Sequence, residues 1–226
     1  MCIVSVGEPI ESRSTIKHFA LPALKAYIAT QDVDYIIVTG GDGILRRTVA
    51  ALQDLPKIPP IVLNPTGSFN VIAKLHRVAP LEQILHKLDR HETPQIQQHA
   101  YYRINQELFL FSAGNMGDLQ HIFLSESLRF GWLKKGAGKY LLAFLALLPL
   151  HLIMTPFMLM SKSRFFIFVP AKFIKKIGSF YGRVSKDLCI DLENGYNFIE
   201  LDGDIVLFEE RYLEIAPAGE IKLVVG

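Results

Sequence analysis

Asp34-Tyr-Ile-Ile-Val-Thr-Gly-Gly-Asp-Gly-Ile-Leu-Arg-Arg-Thr-Val-Ala50 decides the fold class of this chain. It opens with an apolar run, Tyr35 to Val38, of the kind found in strands buried on both faces. Gly40, Gly41 and Gly43 end the strand, and Ile44, Leu45, Val49, Leu52 and Leu55 return at helical spacing. Arg46, Arg47, Gln53 and Asp54 fall on the opposite side of that helix, which predicts an exposed basic face. Three glycines leave backbone amides open to close approach, and Asp42 sets a carboxylate among them. Such a loop suits a phosphate and its metal ion. The same residues would also serve a tight strand-to-helix turn.

The pattern repeats. Pro56 to Pro60 stops the helix, Ile61-Val62-Leu63 is a brief strand, Asn64-Pro-Thr-Gly-Ser68 is a turn-rich loop, and Phe69 to Leu75 begins another helix. Strand, helix, strand with short connections implies a right-handed crossover and a parallel sheet. Both loops then leave the carboxyl ends of parallel strands, the edge at which open α/β sheets bind ligands.

Upstream, residues 3 to 6 predict a first strand, and residues 14 to 30 carry apolar positions at helical spacing, with the helix starting near Pro22. Beyond residue 95 the texture changes. Tyr101 to Phe111 reads as two strands around an Asn-containing turn, and the C-terminal stretch reads as short strands separated by Gly, Asn and Asp. Thr93-Pro94-Gln95 is the linker candidate. The expected organisation is an α/β lobe over 1–95 and a β-rich lobe over 96–226, the latter with one long apolar helical segment at about 134–160.

The 226 residues are 50% hydrophobic and carry a formal charge of +2, so no nucleic-acid partner is indicated. Cys2 and Cys189 suggest neither a disulfide framework nor a zinc cluster, and a reducing, cytoplasmic compartment is expected. Met-Cys-Ile-Val-Ser-Val reads as a strand and not as a signal peptide. His18, His76, His86, His91, His99, His121 and His151 show no metal spacing and are expected to be solvated or satisfied locally.

Neither Gly-x-x-x-x-Gly-Lys-Ser/Thr nor a helix-opening Gly-x-Gly-x-x-Gly occurs, which excludes a P-loop enzyme and an ordinary dinucleotide dehydrogenase. Gly40-Gly-Asp-Gly43 followed by Pro65-Thr-Gly-Ser-Phe-Asn70-Val-Ile-Ala instead resembles the diacylglycerol kinase catalytic-domain family, which includes bacterial lipid kinases and sphingosine kinases. Gly138-Lys-Tyr-Leu-Leu-Ala resembles a helix of that family's second domain, and Leu201-Asp-Gly-Asp204 resembles its Asp-Gly-Glu signature.

The resemblance implies a Rossmann-like nucleotide lobe, a sandwich-like C-terminal lobe and a cleft in which ATP donates its γ-phosphoryl group to a lipid hydroxyl. It implies phosphate contacts from Gly40, Gly41 and Gly43, a magnesium or acceptor-orienting role for Asp42, and a nucleotide site completed by Gly67, Ser68 and Asn70. Asp202 is carried over as the general base and Asp204 as part of the same signature. Read by itself, Asp202-Gly203 between two apolar runs is the signal of a hairpin turn. The implied partner is a lipid at a membrane surface; a homodimer is an admissible assembly.

The chain departs from the family at several places. Ile44 stands where a threonine hydroxyl is usual, and Arg46-Arg47 where an Asn-Glu pair is usual. Neither the family's opening strand nor its Asn-Pro-x-x-Gly loop is found ahead of Gly40. The Asp-Asp-Gly segment has no counterpart either, Asp118 and Asp187 being poor substitutes. An NAD kinase-like enzyme, which would share Gly-Gly-Asp-Gly, and a catalytically inactive lipid-binding relative are the competing readings.

Tyr140 to Met160 has no charged residue and as one helix would run roughly 31 Å, enough to cross a bilayer core. Lys134, Lys135, Lys139, Lys162 and Arg164 flank it. Pro149 and Pro156 favour a buried or interfacial segment in two pieces over a single span, and Trp132 with the lysines predicts a peripheral contact at the inner membrane face.

Overall fold

The computed structural model describes residues 1–10, 16–115, 138–182 and 184–226. The chain divides into two compact units, Met1–Tyr101 with Gly219–Gly226, and Tyr102–Ala218.

Unit 1 is built on parallel strands. β1 (Ile3–Gly7) lies between β2 (Lys17–Phe19) and β3 (Tyr35–Gly40), and β3 pairs with β4 (Ile61–Pro65). The end of the last strand, β14 (Tyr212–Val224), returns beside β4 through Leu223 and Val224. Ile36, Ile37, Ile61 and Val62 are fully buried, as apolar runs covered on both faces should be.

Two helix layers provide the cover. On one face Ile37, Val62 and Val224 pack with Ile84, Leu85 and Leu88 of α4 (Leu81–Asp89). On the other, α1 (Leu21–Thr30) and α2 (Asp42–Leu52) bury Leu24 and the stripe Leu45, Val49, Leu52. Each of these side chains contributes about 1.5–3 kcal/mol by leaving water.

Two expectations hold in this unit and one, the exposure of Arg46, is corrected. The helix begins at Leu21 with Pro22 in its first turn, as expected, and Lys17–Phe19 ahead of it is a strand beside β1 that the sequence did not reveal. Arg46 is 6% exposed and not on an open face, whereas Arg47 is exposed; Arg46 directly follows Leu45 and shares the buried side of α2. The first strand expected over residues 3 to 6 is β1, which pairs with β3 from Ile3↔Tyr35 to Gly7↔Thr39.

Unit 2 is β-rich. β5 (Ile96–Ile104) reaches into it and turns through Asn105 into β6 (Glu107–Phe109). Asn105 takes a left-handed φ of 50° and pins the turn to β14, accepting from Glu214 N at 2.7 Å and donating to the Tyr212 carbonyl at 3.1 Å. A six-stranded sheet holds β7 (Ser112–Gly114), β8 (Phe166–Phe168), β9 (Lys176–Ile177), β10 (Phe180–Tyr181), β12 (Asn197–Leu201) and β13 (Asp204–Phe208). β11 (Leu188–Asp191) pairs with β14.

The apolar segment is one helix, α5 (Gly138–Met160), with both prolines inside it, and not two pieces. Each proline frees the carbonyl four residues back, those of Leu145 and Leu152, and both residues are exposed. Among its described side chains, Leu142, Leu145, Leu152, Ile153, Phe157 and Met160 are exposed and not buried. Among the described residues no helix is long and apolar enough to cross a membrane. His121, Asp118, Trp132, Lys134 and Lys135 lie outside the described residues.

Candidate functional site: paired loops at one sheet edge

The β3–β4 register sets Gly40 opposite Pro65, so the two glycine-bearing loops leave neighbouring strands side by side. They are bonded to each other. Thr66 N donates to the Gly40 carbonyl at 3.1 Å. The Asp42 carboxylate accepts from Val71 N at 2.7 Å and Ile72 N at 3.0 Å, capping α3 (Val71–Leu75) from the first loop. Burial raises the Asp42 carboxyl above its ordinary range, and these same two amides oppose the rise.

Backbone approach explains the glycines. A Cβ on Gly67 would sit 2.6 Å from Gly41 Cα and 2.9 Å from Asn70 Oδ1, so only glycine fits there. Gly40 has a φ of 150°, and a Cβ would strike Ile44 Cγ2 at 2.4 Å. Ile44, where the family carries threonine, is thus packed against the loop. Asn70 holds a left-handed φ of 49° and donates from Nδ2 to the Gly67 carbonyl at 2.7 Å. Its Oδ1 is buried without a hydrogen-bond partner, an acceptor set at the junction of the two loops.

A third turn reaches the same edge. Glu8 N donates to the Thr39 carbonyl at 3.0 Å, and a Cβ on Gly7 (φ 96°) would fall 2.0 Å from that oxygen. The glycine ending an apolar strand was the available signal.

The amides of Asp42 and Gly43 open α2 and have no carbonyl one turn back, as at any helix start. The space enclosed between the loops, lined by Val38, Gly41, Asp42, Leu45 and Asn70 among others, is only about 10 Å³. That is room for one water. A phosphate group would therefore rest over the amides from outside. Among the described residues no group of three or more His, Cys, Asp or Glu could hold a metal ion, and both Asp42 oxygens are engaged as caps.

The remaining candidates are in unit 2. Asp202 and Gly203 form the two-residue turn of the β12–β13 hairpin, with φ of 53° and 92°, as the Asp-Gly signal predicts. The Asp202 side chain is buried. Its Oδ2 accepts from Leu110 N at 2.6 Å, and its Oδ1 accepts from Phe111 N at 2.8 Å and Ser112 N at 3.0 Å. Burial outweighs these three donors and lifts the carboxyl from 3.8 to about 7. Asp204 opens β13 opposite Leu201.

Sequence reasoning missed Glu200 in unit 2 and a histidine pair in unit 1. Glu200 is 8% exposed and accepts from the Ser112 hydroxyl at 3.0 Å and from Gly203 N. An acid inside the apolar run Phe198-Ile-Glu-Leu was the clue to a buried carboxylate that needs donors. His76 and His99, read as scattered, meet in unit 1 at 2.9 Å between ring nitrogens, with Gln97 Oε1 2.8 Å from His76 Nδ1.

Residues 9–98 match the diacylglycerol kinase catalytic domain. The match falls within unit 1. Among solved structures the chain is similar to a diacylglycerol kinase from Bacillus anthracis str. Sterne, at 14% identity and a TM-score of 0.56, with 99% of this chain and 96% of that chain covered. It is also similar to an NAD kinase from Archaeoglobus fulgidus in complex with ATP, at 12% identity and a TM-score of 0.46, covering 99% of this chain and 93% of that one. The first likeness establishes a shared fold, and the second carries no argument. Among curated proteins, none matches the chain at a significant level. The Rossmann-like parallel sheet of unit 1 and the β-rich second unit are the expected fold class.

Proposed function

We propose that the chain is an ATP-dependent lipid kinase that moves the γ-phosphoryl group to a hydroxyl of a diacylglycerol-like lipid, working peripherally at a membrane. The observation that carries this reading is the mutual bonding of the two loops: Asp42 caps α3, Thr66 bonds Gly40, and Gly41 lies against Gly67. An enzyme of this kind does its work by placement and charge stabilisation. Amides at the start of α2 bind and orient the phosphates of ATP, and Asn70 Oδ1 accepts from a donor on the nucleotide or from its bound water.

In the transfer, the bond between the γ-phosphorus and the bridging oxygen breaks, a bond forms to the lipid oxygen, and ADP leaves. The hydroxyl proton passes to Asp202, whose proton affinity near neutrality suits a general base. Magnesium accompanies ATP in such chemistry, but no step is assigned to protein-bound metal here.

A second reading, a lipid-binding relative without turnover, is favoured by Ile44 at the threonine position and by the engagement of both Asp42 oxygens. Purified protein with labelled ATP, magnesium and mixed lipid vesicles separates the two. A labelled lipid on a thin-layer plate, formed faster as pH rises through about 7 and lost in Asp202→Asn, supports the kinase. Label on NAD would reassign the acceptor. Absence of any labelled product with intact ATP binding would support the inactive relative.

A further inference from the structure

The strongest unassigned feature is a groove of about 490 Å³ in unit 2, at the C-terminal end of α5. Its rim carries Lys162, Arg164 and Lys176, with Ser161, Tyr181 and Asp191 between them. The one acid is already neutralised, since Arg211 grips both Asp191 oxygens at 2.7 Å. Arg164 is held in place by donating to the Asn115 carbonyl at 2.9 Å, and Lys176 Nζ lies 4.8 Å from the Tyr181 ring centroid. Three cations around a polar floor suit a phosphate monoester or diester.

The surroundings say where that phosphate comes from. Ser179 ties the segment bearing these lysines to α5, donating to the Leu159 carbonyl at 3.0 Å and from its hydroxyl to the Met158 carbonyl at 2.7 Å. Met160 of the groove lining is 83% exposed, Leu152 and Phe157 further back along α5 are 70% and 68% exposed, and Phe173, three residues before Lys176 in the chain, is 89% exposed between Lys172 and Lys175. The exposed apolar residues described on α5, Leu142, Leu145, Leu152, Ile153, Phe157 and Met160, are related by helical spacings of three, four and seven, which puts them on one face. The carbonyls freed by Pro149 and Pro156 belong to Leu145 and Leu152 on that face. They require water or headgroup donors, which sets the face at the bilayer interface and not in the hydrocarbon.

We propose that the groove rimmed by Lys162, Arg164 and Lys176 binds the headgroup phosphate of an anionic phospholipid while Phe173 and the open face of α5 rest in the interfacial layer. The partner is an anionic bilayer. The proposal deepens the lipid-kinase reading, from which it takes only the need to meet a membrane. Docking is read without turnover, so either reading can fail alone.

The test is flotation of the full chain with phosphatidylcholine vesicles, with and without phosphatidylglycerol. The wild type should float only with the anionic vesicles, and Lys162→Gln/Lys176→Gln should weaken this about 30-fold. Phe173→Asp should also lose binding while melting at the wild-type temperature, because that side chain is exposed. Lys57→Gln/Lys222→Gln on unit 1 makes the same charge change and should float normally. Equal loss in that control, or equal binding to both vesicles, would overturn the proposal. So would saturable binding of inorganic phosphate without flotation, or self-association abolished by Phe173→Asp without flotation.

Discussion

Asp202→Asn gives the sharpest test of the unit 2 hairpin. The Asp202 carboxyl is raised from 3.8 to about 7, first by burial and further by the charge of Glu200, against the amides of Ser112, Phe111 and Leu110. Between those two values the folded chain keeps a proton that the unfolded chain has released. The unfolded state then binds fewer protons, so stability falls as pH rises. This contribution is fully present below 3.8 and is lost as pH climbs through about 7. The gap corresponds to at most about 4 kcal/mol.

Asn keeps the shape and removes the titration. Its oxygen can still accept from Phe111 and Ser112, but its NH₂ must face the Leu110 N–H, at a cost of about 1–3 kcal/mol. Urea unfolding at about pH 4.5, 6 and 7.5 measures the difference. The variant should be less stable than wild type at the lowest pH, and the gap should shrink by neutrality. A gap of constant size across the three would refute the burial argument.

Gly67→Ala should separate the two loops, because its Cβ meets Gly41 Cα at 2.6 Å; a loss of about 1–3 kcal/mol in thermal melts and loss of fluorescent-nucleotide binding are expected. Gly41→Ala is the contrast. Its Cβ has 3.4 Å to Gly67 Cα, so it should melt like wild type yet bind nucleotide more weakly, since the methyl covers the amides. Asp42→Ala removes the acceptor for Val71 N and Ile72 N and should cost about 1–2 kcal/mol by chemical denaturation. Gly203→Ala meets no atom within 4 Å, so its cost is the left-handed backbone alone, about 1–2 kcal/mol, read as a lowered Tm.

The parallel sheet was legible because its strands are apolar runs ended by Gly or Pro, and the loops because Gly-Gly-Asp-Gly and Pro-Thr-Gly-Ser-Phe-Asn punctuate them at matching places. Asp202-Gly203 was legible as a turn for the same local reason. What could not be read depends on partners far along the chain. Lys17–Phe19 becomes a strand only because β1 offers it an edge. Arg46 is buried by packing that helical periodicity does not encode. The Asp42 cap joins residues about thirty positions apart, and the His76–His99 pair needs β5 beside the end of α3. α5 runs through two prolines, each of which removes one backbone bond without ending the helix, so a proline rule alone misplaces its bounds.

The central claim, that the two bonded loops are the nucleotide-phosphate site, is tested most directly by titrating ATP into isotope-labelled protein and following backbone amide resonances. The account predicts saturable shifts centred on Gly40–Gly43 and Gly67–Asn70, absent in Gly67→Ala. Saturable ATP binding that leaves those amides unmoved, or no binding at millimolar ATP, would contradict it.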